Sequence, residues 1–290
     1  MGEAKPAIPA VQDVQPFDAV AAEYDSHFTH HQLGRWLREA VHRHLADLVQ
    51  PGAHVLELGC GTGEDALWLA RHGAHVTATD ASAAMLKIAA RKTAAAGLSE
   101  QITFAQVDLL GNGEWGIGSA ESSPKPPIPY PLLPTPQYDA VLANFGVLNC
   151  LPDRRALAST LARWVRPGGR MALVVMSPIC PWEIIWHLAH GQIRTALRRF
   201  RSGVRAHVGR GTTVRVWYPS PRRLQQEFTL HFHHVQTVGI GTLLPPSYLA
   251  HLVNRWPHFF EHVAGWDQQL GQRWPWTWLN DHYLAIFERK

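Results

Sequence analysis

A turn of alternating glycines between an apolar run and a helical pattern constrains this chain more than any other feature. Residues 55–65 read Val-Leu-Glu-Leu-Gly-Cys-Gly-Thr-Gly-Glu-Asp. Glycine has no Cβ and adopts positive φ, so a ligand can approach such a backbone closely. A strand that enters a tight glycine turn and then a helix is the general plan of nucleotide-binding α/β sheets. We therefore expect a nucleotide-like ligand at this turn.

The residues after the glycines narrow the choice of ligand. The dinucleotide fingerprint requires glycine at position 64, where this chain has Glu64, and the phosphate-cradling GxxxxGK[ST] loop is absent from the sequence. Glu64 and Asp65 would repel a pyrophosphate at the N-terminus of the following helix. The turn therefore suits a ligand that lacks phosphates and carries positive charge.

Apolar runs alternate with helical patterns along the core of the chain. Repeated strand–helix units connect parallel strands through right-handed crossovers. The pattern predicts an α/β fold with a doubly wound, mostly parallel seven-stranded sheet, Rossmann-like, with an inserted and C-terminal helical cap. The predicted strands are 55–58, 76–79, 102–107, 138–143, 170–176, 232–240 and 283–287.

Polar side chains occur at or just after the ends of four predicted strands, namely Glu57, Asp80, Asp108 and Asn144. Sheets of this kind bind ligands at the carboxyl ends of their strands. Three acids and one amide are therefore expected to line a single cleft.

These strand ends, the E-x-G-x-G-x-G order and the Arg166-Pro167-Gly168-Gly169 turn together resemble class I S-adenosylmethionine-dependent methyltransferases. The F-D-x-x-A-x-x-Y-D arrangement of residues 17–25 is similar to the lid helix of small-molecule members of that family. The resemblance covers residues 17–178 and the last strand. It implies methyl transfer from S-adenosyl-L-methionine, with S-adenosyl-L-homocysteine as product, to a small, hydrophobic or lipid-like acceptor at an O, N or C atom.

The resemblance also implies roles for individual residues. Asp80 would accept both ribose hydroxyls, Asp108 with the backbone of Leu109 would receive the adenine amino group, and Glu57 would face the methionine ammonium. Two roles stay open, because Met85 equally suits the core and Tyr24 equally suits packing of the lid. The implied cofactor-binding set is Tyr24, Glu57, Gly59, Cys60, Gly61, Gly63, Asp80, Ala81, Met85, Asp108, Leu109 and Asn144.

The segment after the fifth strand differs in charge from the rest of the chain. No acid lies between Glu183 and Glu227, an interval that holds nine arginines. At 100° per residue, the apolar residues of 193–208 fall on one face beside a row of arginines, which predicts one amphipathic helix. We interpret it as a lid over a greasy acceptor; a peripheral membrane contact through 182–208 and a nucleic-acid face remain open. The predicted arginine row is Arg194, Arg198, Arg201 and Arg205.

The stretch 144–150 lacks the Asn/Asp-Pro-Pro-aromatic box of base-amine and glutamine methylators, which disfavours nucleic acid as a partner. Asn144 or Asn149 could orient the acceptor or simply stabilise a turn. No general base is assigned, and no metal is predicted. An RNA or protein methyltransferase and a non-catalytic S-adenosylmethionine-binding protein remain alternatives. The candidate bases are Glu23, His30, His31, His187, His190 and His282.

The predicted organisation has N-terminal lid helices at 1–52, a cofactor-binding core at 53–178, an Arg/Trp-rich insertion at 179–218, and the end of the sheet with a helical cap at 219–290. Within the core, 111–136 is rich in proline and predicts a surface loop. The three cysteines are scattered, and the first residues contain no apolar signal region, so a cytoplasmic protein is expected. Clustered C-terminal aromatics leave a homo-oligomer open.

Overall fold

The computed structural model of the protein describes residues 15–46, 48–109, 138–208 and 211–290. The predicted proline-rich loop at 111–136 lies outside the described residues. In the described parts of the chain, no helix combines the length and the apolar character needed to span a bilayer.

A seven-stranded sheet with the order β3-β2-β1-β4-β5-β9-β8 forms the centre of the molecule. Neighbours among the first five strands pair in parallel, whereas β9 runs antiparallel to both β5 and β8. This arrangement confirms the predicted doubly wound, mostly parallel fold. The strands are β1 His54–Leu58, β2 His75–Asp80, β3 Ile102–Gln106, β4 Tyr138–Ala143, β5 Val165–Met176, β8 Phe232–Ile240 and β9 His282–Arg289; a separate hairpin contains β6 Val204–His207 and β7 Thr213–Val216.

Helices cover both faces of the sheet, because β1, β4 and β5 carry apolar side chains on both sides and bury nearly all of them. Ser82 caps α4 by accepting a hydrogen bond from the Met85 amide at 3.1 Å. The helices are α1 Ala21–Tyr24, α2 Gln32–Ala46, α3 Glu64–Arg71, α4 Ala83–Ala95, α5 Arg155–Trp164, α6 Pro181–Ala189, α7 Ile193–Ala196, α8 Pro221–Phe228, α9 Ala250–Arg255 and α10 Pro257–Leu270.

Two predicted elements differ from the structure. Residues 166–169 do not form a turn before the fifth strand, because β5 already begins at Val165. They lie within β5, where its register with β4 shifts. The single amphipathic helix expected over 193–208 is also wrong. That segment breaks into α7, the short 3₁₀ turn Arg198–Phe200 and strand β6. Gly203, at φ 65°, lies where the chain leaves the helical region.

Candidate functional site

The glycine turn joins β1 to α3 in a left-handed backbone, with φ values of 66°, 53° and 83° at Gly59, Gly61 and Gly63. A Cβ added at Gly59 would lie 2.5 Å from Val147, and one at Gly63 would lie 2.8 Å from Ala89. A Cβ at Gly61 would meet nothing within 4 Å. Two of the glycines are therefore required by packing, while Gly61 faces open space that a ligand can enter.

Asp80 ends β2 and holds this turn in place. Its two carboxylate oxygens accept hydrogen bonds from the backbone N–H of Gly61 at 2.8 Å and of Ser82 at 2.9 Å. Burial raises the pKa of Asp80 despite these bonds, and no cationic side chain pairs with it among the described residues. The Ala81 amide also hydrogen-bonds this carboxylate. Because two carboxylate oxygens offer about four acceptor sites, capacity remains for ligand hydroxyls.

Glu57 lies one strand away and is almost fully buried. Its Oε2 has no hydrogen-bond partner among the described residues. Burial, and then the negative charge of Asp65, raise the pKa of this carboxyl well above its ordinary value. A buried carboxylate without a partner costs free energy that a cationic ligand group would recover.

A network around Asp65 closes the same end of the cleft. Its carboxylate accepts hydrogen bonds from Arg38 at 2.5 Å, from the buried Asn144 amide at 2.9 Å, and contacts His42 Nε2 at 2.7 Å. Burial would raise the pKa of Asp65, but Arg38 and His42 lower it below its ordinary value. Asn144 also accepts the Phe145 amide at 3.0 Å, so both ends of its side chain are engaged by the protein.

Arg38 is a site residue that sequence reasoning missed. Its side chain is 14% exposed, and Nη1 makes its only hydrogen bond to the described residues. The remaining donors are free for a ligand carboxylate. On a helical projection, Arg38 falls about 20° from Leu45 on the apolar side of α2. The sequence therefore did contain a signal for Arg38, namely a charged residue at the border of the buried face of α2.

Two aspartates fasten the N-terminal lid onto the glycine turn. Asp25 accepts Thr62 Oγ1 at 2.6 Å and pairs with Lys92, which also pairs with Glu64. Asp18 accepts the Ser82 hydroxyl at 2.5 Å. The motif at 17–25 contained both acids, but their partners are far apart in sequence.

Tyr24 lies within this lid and is partly buried, with its ring centroid 6.0 Å from that of Phe28. Burial raises its pKa, and the charges of Arg38, Asp65 and Asp80 all act on its hydroxyl. Tyr24 therefore faces the cleft between the turn and the network.

The residues expected to surround the adenine lie beyond Asp80. Asp108 is exposed and accepts Gln15 Nε2 at 3.5 Å, and Leu109 packs on the core beside it. The Ala81 carbonyl accepts Gln106 Nε2 at 2.9 Å. Met85 is 2% exposed, as its alternative core role requires.

Cys60 is buried within the glycine turn. Its amide donates to the Thr79 carbonyl at 2.8 Å, and burial raises the pKa of its thiol well above the ordinary value. Cys60 therefore contributes backbone and bulk to the turn rather than a reactive thiolate.

The opposite wall follows β4. Phe145 adopts φ 43°, an unusual conformation for a bulky residue that often marks a functional site. Its ring packs edge-to-face with Phe28 at 5.3 Å and with His282 at 5.5 Å, and the Arg38 guanidinium lies 5.5 Å from its centroid. These groups connect the Asp65 network to the first residue of β9.

Asn149 does not face this wall as a ligand group. It is fully buried, and its side chain bonds the Met176 backbone at 2.9 and 3.2 Å and the Trp217 carbonyl at 2.6 Å. These bonds tie β5 to the end of the β6–β7 hairpin, so Asn149 stabilises a junction.

His282 stands out among the six candidate bases. Its Nδ1 lies 3.1 Å from Asp281 Oδ2 without the geometry of a hydrogen bond, and Nε2 makes no hydrogen bond to the described residues. Asp281 is in turn fixed by Arg199, which donates to its Oδ1 at 2.6 Å. By contrast, His187 and His190 bond within or beside α6, and Glu23 and His30 are exposed.

Residues 56–171 match a family model described as a methyltransferase domain. Methyltransferase GfsG of Streptomyces halstedii is 29% identical over 143 residues, 49% of this chain and 44% of the relative. A ubiquinone/menaquinone biosynthesis C-methyltransferase of Methylococcus capsulatus is 32% identical, covering 56% of this chain and 59% of the relative. The chain thus spans about half the length of the curated relatives that it matches.

Solved structures with the same fold include a protein described as an S-adenosylmethionine-dependent methyltransferase from Listeria monocytogenes. Its TM-score is 0.56 at 16% identity, covering 87% of this chain and 97% of that one. A DhpI–SAH complex has a TM-score of 0.55 at 21% identity, covering 94% and 93%. At these identities the likeness concerns the fold. The domain match concerns residues 56–171, and the chain shares its fold with these solved structures.

The site fits S-adenosyl-L-methionine. Glu57 offers an unpartnered carboxylate oxygen for an ammonium, Arg38 offers free donors for a carboxylate, and Asp80 offers lone pairs for ribose hydroxyls. Gly61 leaves the space between them open.

Proposed function

We propose that this protein transfers a methyl group from S-adenosyl-L-methionine to a small, apolar acceptor. The observation that carries the proposal is the buried carboxylate of Glu57 beside the half-buried carboxylate of Asp80, neither of which forms an ion pair with a described residue. They border a turn that is open only at Gly61. A sulfonium nucleoside with an amino-acid tail supplies the positive charges and hydroxyls that these groups require.

The protein contributes binding and alignment to such a reaction. When bound, the cofactor supplies an electrophilic methyl group. Asp80, Glu57 and Arg38 would hold its ends, while Phe28 and Phe145 would form an apolar wall that excludes water from the acceptor side. Alignment of two reactants in this way is worth on the order of 7–11 kcal/mol of the barrier.

The apolar character of the acceptor follows from the groups near this wall. The polar residues beyond His282 are already bonded to one another, as Arg199 with Asp281 and Asn149 with backbone show. Aromatic rings remain to contact a substrate. Relatives named demethylmenaquinone methyltransferase and ubiquinone/menaquinone biosynthesis C-methyltransferase support an acceptor with an apolar, aromatic nucleus.

His282 is the proposed proton acceptor where the attacking group is protonated. The Asp281 carboxylate lies 3.1 Å from its Nδ1, so we take Nε2 as the basic atom. General-base catalysis contributes about 10²–10⁴-fold to a rate. His282→Asn keeps a nitrogen donor near Asp281 but removes the distal nitrogen, so methyl transfer should slow by about that factor. Calorimetric affinity for S-adenosyl-L-homocysteine should stay unchanged, and a parallel loss would make His282 a structural residue.

The proposal is tested by incubating the protein with methyl-labelled S-adenosyl-L-methionine and fractionated cell extracts. Label should enter the lipid and small-molecule fractions, and mass spectrometry should find a product heavier by one methylene unit. Asp80→Ala is the matched negative control. Label confined to RNA or protein would contradict the acceptor class. Tight cofactor binding without label in any fraction would instead support a non-catalytic binding protein.

A further inference from the structure

We infer that the surface formed by α6, α7 and the Arg198–Phe200 turn is a docking face for an anionic lipid bilayer. We call it the cap face. It deepens the proposed function, on which its role in supplying an apolar acceptor rests. The cap face presents large apolar side chains to solvent, each between 43% and 66% exposed: Ile185, Leu188, Ile193, Leu197 and Phe200.

The apolar side chains of the cap face are grouped by the local backbone. Ile185 and Leu188 are three residues apart on α6 and therefore point to the same side of that helix. Helix α7 packs against α6 and is followed at once by the 3₁₀ turn that carries Phe200. A group of this kind marks an interaction site rather than ordinary surface. Further exposed large apolar side chains lie in the C-terminal segment, among them Trp256, Phe259 and Trp266, and are not part of the cap face.

Arginines surround this group, and acids do not. Four exposed arginines lie in the cap face or in the segment that continues from it through the β6–β7 hairpin, and they pair with no acid among the described residues. No Asp or Glu occurs between Glu183 and Glu227. Glu183 itself is buried and bonded to Arg198 and Arg199, so it offers no negative charge outward. The exposed arginines are Arg194, Arg201, Arg205 and Arg215.

The combination of apolar and cationic side chains indicates which partner binds the cap face. Apolar side chains beside cationic ones match the acyl and headgroup layers of an anionic bilayer. A second copy of the chain would place the same arginines opposite one another in a two-fold contact, which like charges oppose. A nucleic acid would pair with the arginines but would leave the aliphatic side chains in water. The bilayer is the one partner that uses both components.

The cap face also lies beside the acceptor wall. Glu183 of α6 is bonded to Arg199, and Arg199 is bonded to Asp281, whose carboxylate lies beside His282 Nδ1. An acceptor dissolved in a bilayer would therefore enter the molecule next to the proposed base. The helices given above include none that could span the bilayer, so contact would be with one leaflet.

The test is co-sedimentation of the full chain with vesicles of phosphatidylcholine, with or without phosphatidylglycerol. We expect binding to the anionic vesicles only, weakened by salt. Ile185→Glu/Phe200→Glu should abolish it, whereas Leu230→Glu, which changes an apolar residue 74% exposed outside the cap face, should not. Arg194→Glu/Arg201→Glu should weaken it by at least about 30-fold, from roughly fivefold per arginine. The charge-matched control is Arg71→Glu/Arg91→Glu on α3 and α4.

Binding of S-adenosyl-L-homocysteine by every variant, measured by calorimetry, verifies the fold and separates this inference from the proposed function. Lack of binding to anionic vesicles, equal binding to neutral ones, or equal losses in the control variants would overturn the inference. The inference would also be overturned if light scattering showed that the wild-type protein is a dimer and that Ile185→Glu/Phe200→Glu makes it a monomer. Tighter binding to RNA, competing with vesicles, would assign the face to nucleic acid.

Discussion

On the β1–β2 side of the cleft, Asp80 accepts hydrogen bonds only from backbone N–H groups of the described residues, and the buried Glu57 Oε2 has no partner among them. On the β5–β9 side, by contrast, Arg199 donates to the carboxylates of Glu183 and Asp281. Both pairs lie at the same edge of one sheet. Burial raises the pKa of Glu57 and Asp80. Burial also acts on Glu183 and Asp281, but cationic neighbours lower their pKa values below the ordinary range.

The difference distinguishes carboxylates that are available to a ligand from carboxylates that stabilise the protein itself. Carboxylates that the protein leaves without a counter-ion can be neutralised by a bound ligand, so they favour a cationic one. Charges paired inside the protein have little left to offer a ligand. In the proposed function, the first side binds the cofactor, and the second holds the cap and the acceptor wall in position.

The largest expected effect is a loss of stability, from a substitution on the β5–β9 side. Arg199→Met leaves Glu183 and Asp281 buried with less counter-charge and should cost about 3–5 kcal/mol of unfolding free energy. Denaturant unfolding measures the loss. Arg198→Met is the control, because Arg198 is 37% exposed and bonds only Glu183, so its loss should be clearly smaller. Equal losses would remove the distinction between the two arginines.

A substitution on the β1–β2 side should weaken cofactor binding more than it destabilises the fold. Asp80→Ala removes the acceptors for two hydroxyls, at about 1.5–3 kcal/mol per charged hydrogen bond. Affinity for S-adenosyl-L-methionine should fall at least a hundredfold in calorimetric titrations. Asp153→Ala changes an exposed carboxylate paired with Arg155 and should leave affinity unchanged. An unaltered affinity in Asp80→Ala would refute the cofactor assignment.

Two glycines provide a matched test of the open space at the turn. Gly61 and Gly97 both have positive φ, 53° and 69°, and a Cβ on either meets nothing within 4 Å. Gly61→Ala and Gly97→Ala should each lose about 1–2 kcal/mol of stability through left-handed strain. Only Gly61→Ala should also weaken cofactor binding, by roughly tenfold or more. Equal affinities in the two variants would mean that the ligand does not approach Gly61.

The smallest expected signal is the release of a proton when the cofactor binds. Because the pKa of Glu57 is raised in the free protein, a bound ammonium should lower it and drive proton release. Affinity should accordingly rise with pH and level off above the free-protein pKa. Calorimetry in buffers of different ionisation enthalpy measures the release, at most one proton per site. Glu57→Gln should abolish it, and persistent release in that variant would assign the proton to another group.

Much of the binding side could be predicted from sequence because its determinants are local. The strand, the glycines and the first acids of α3 are adjacent in the chain, and alternating elements then bring Asp80 and Asp108 to the same edge. Arg38 was missed because its partner, Asp65, lies 27 residues away. Nothing in the periodicity of α2 identifies that pair.

The cap could be predicted far less well. Its predicted arginine row assumed one helix, whereas Arg198 turns inward to Glu183, 15 residues earlier, and Arg199 reaches Asp281, 82 residues later. These long-range ion pairs outweigh the helical periodicity and break the segment. Of the predicted row, Arg194, Arg201 and Arg205 remain exposed.

The central claim is that Glu57 and Asp80 select a cationic, phosphate-free nucleoside. Its most direct test is calorimetric titration of the wild-type protein with S-adenosyl-L-methionine and, separately, with NAD⁺. The account predicts saturable one-to-one binding of S-adenosyl-L-methionine and none of NAD⁺, whose pyrophosphate would meet Glu64 and Asp65. Binding of NAD⁺ with equal or greater affinity would contradict it.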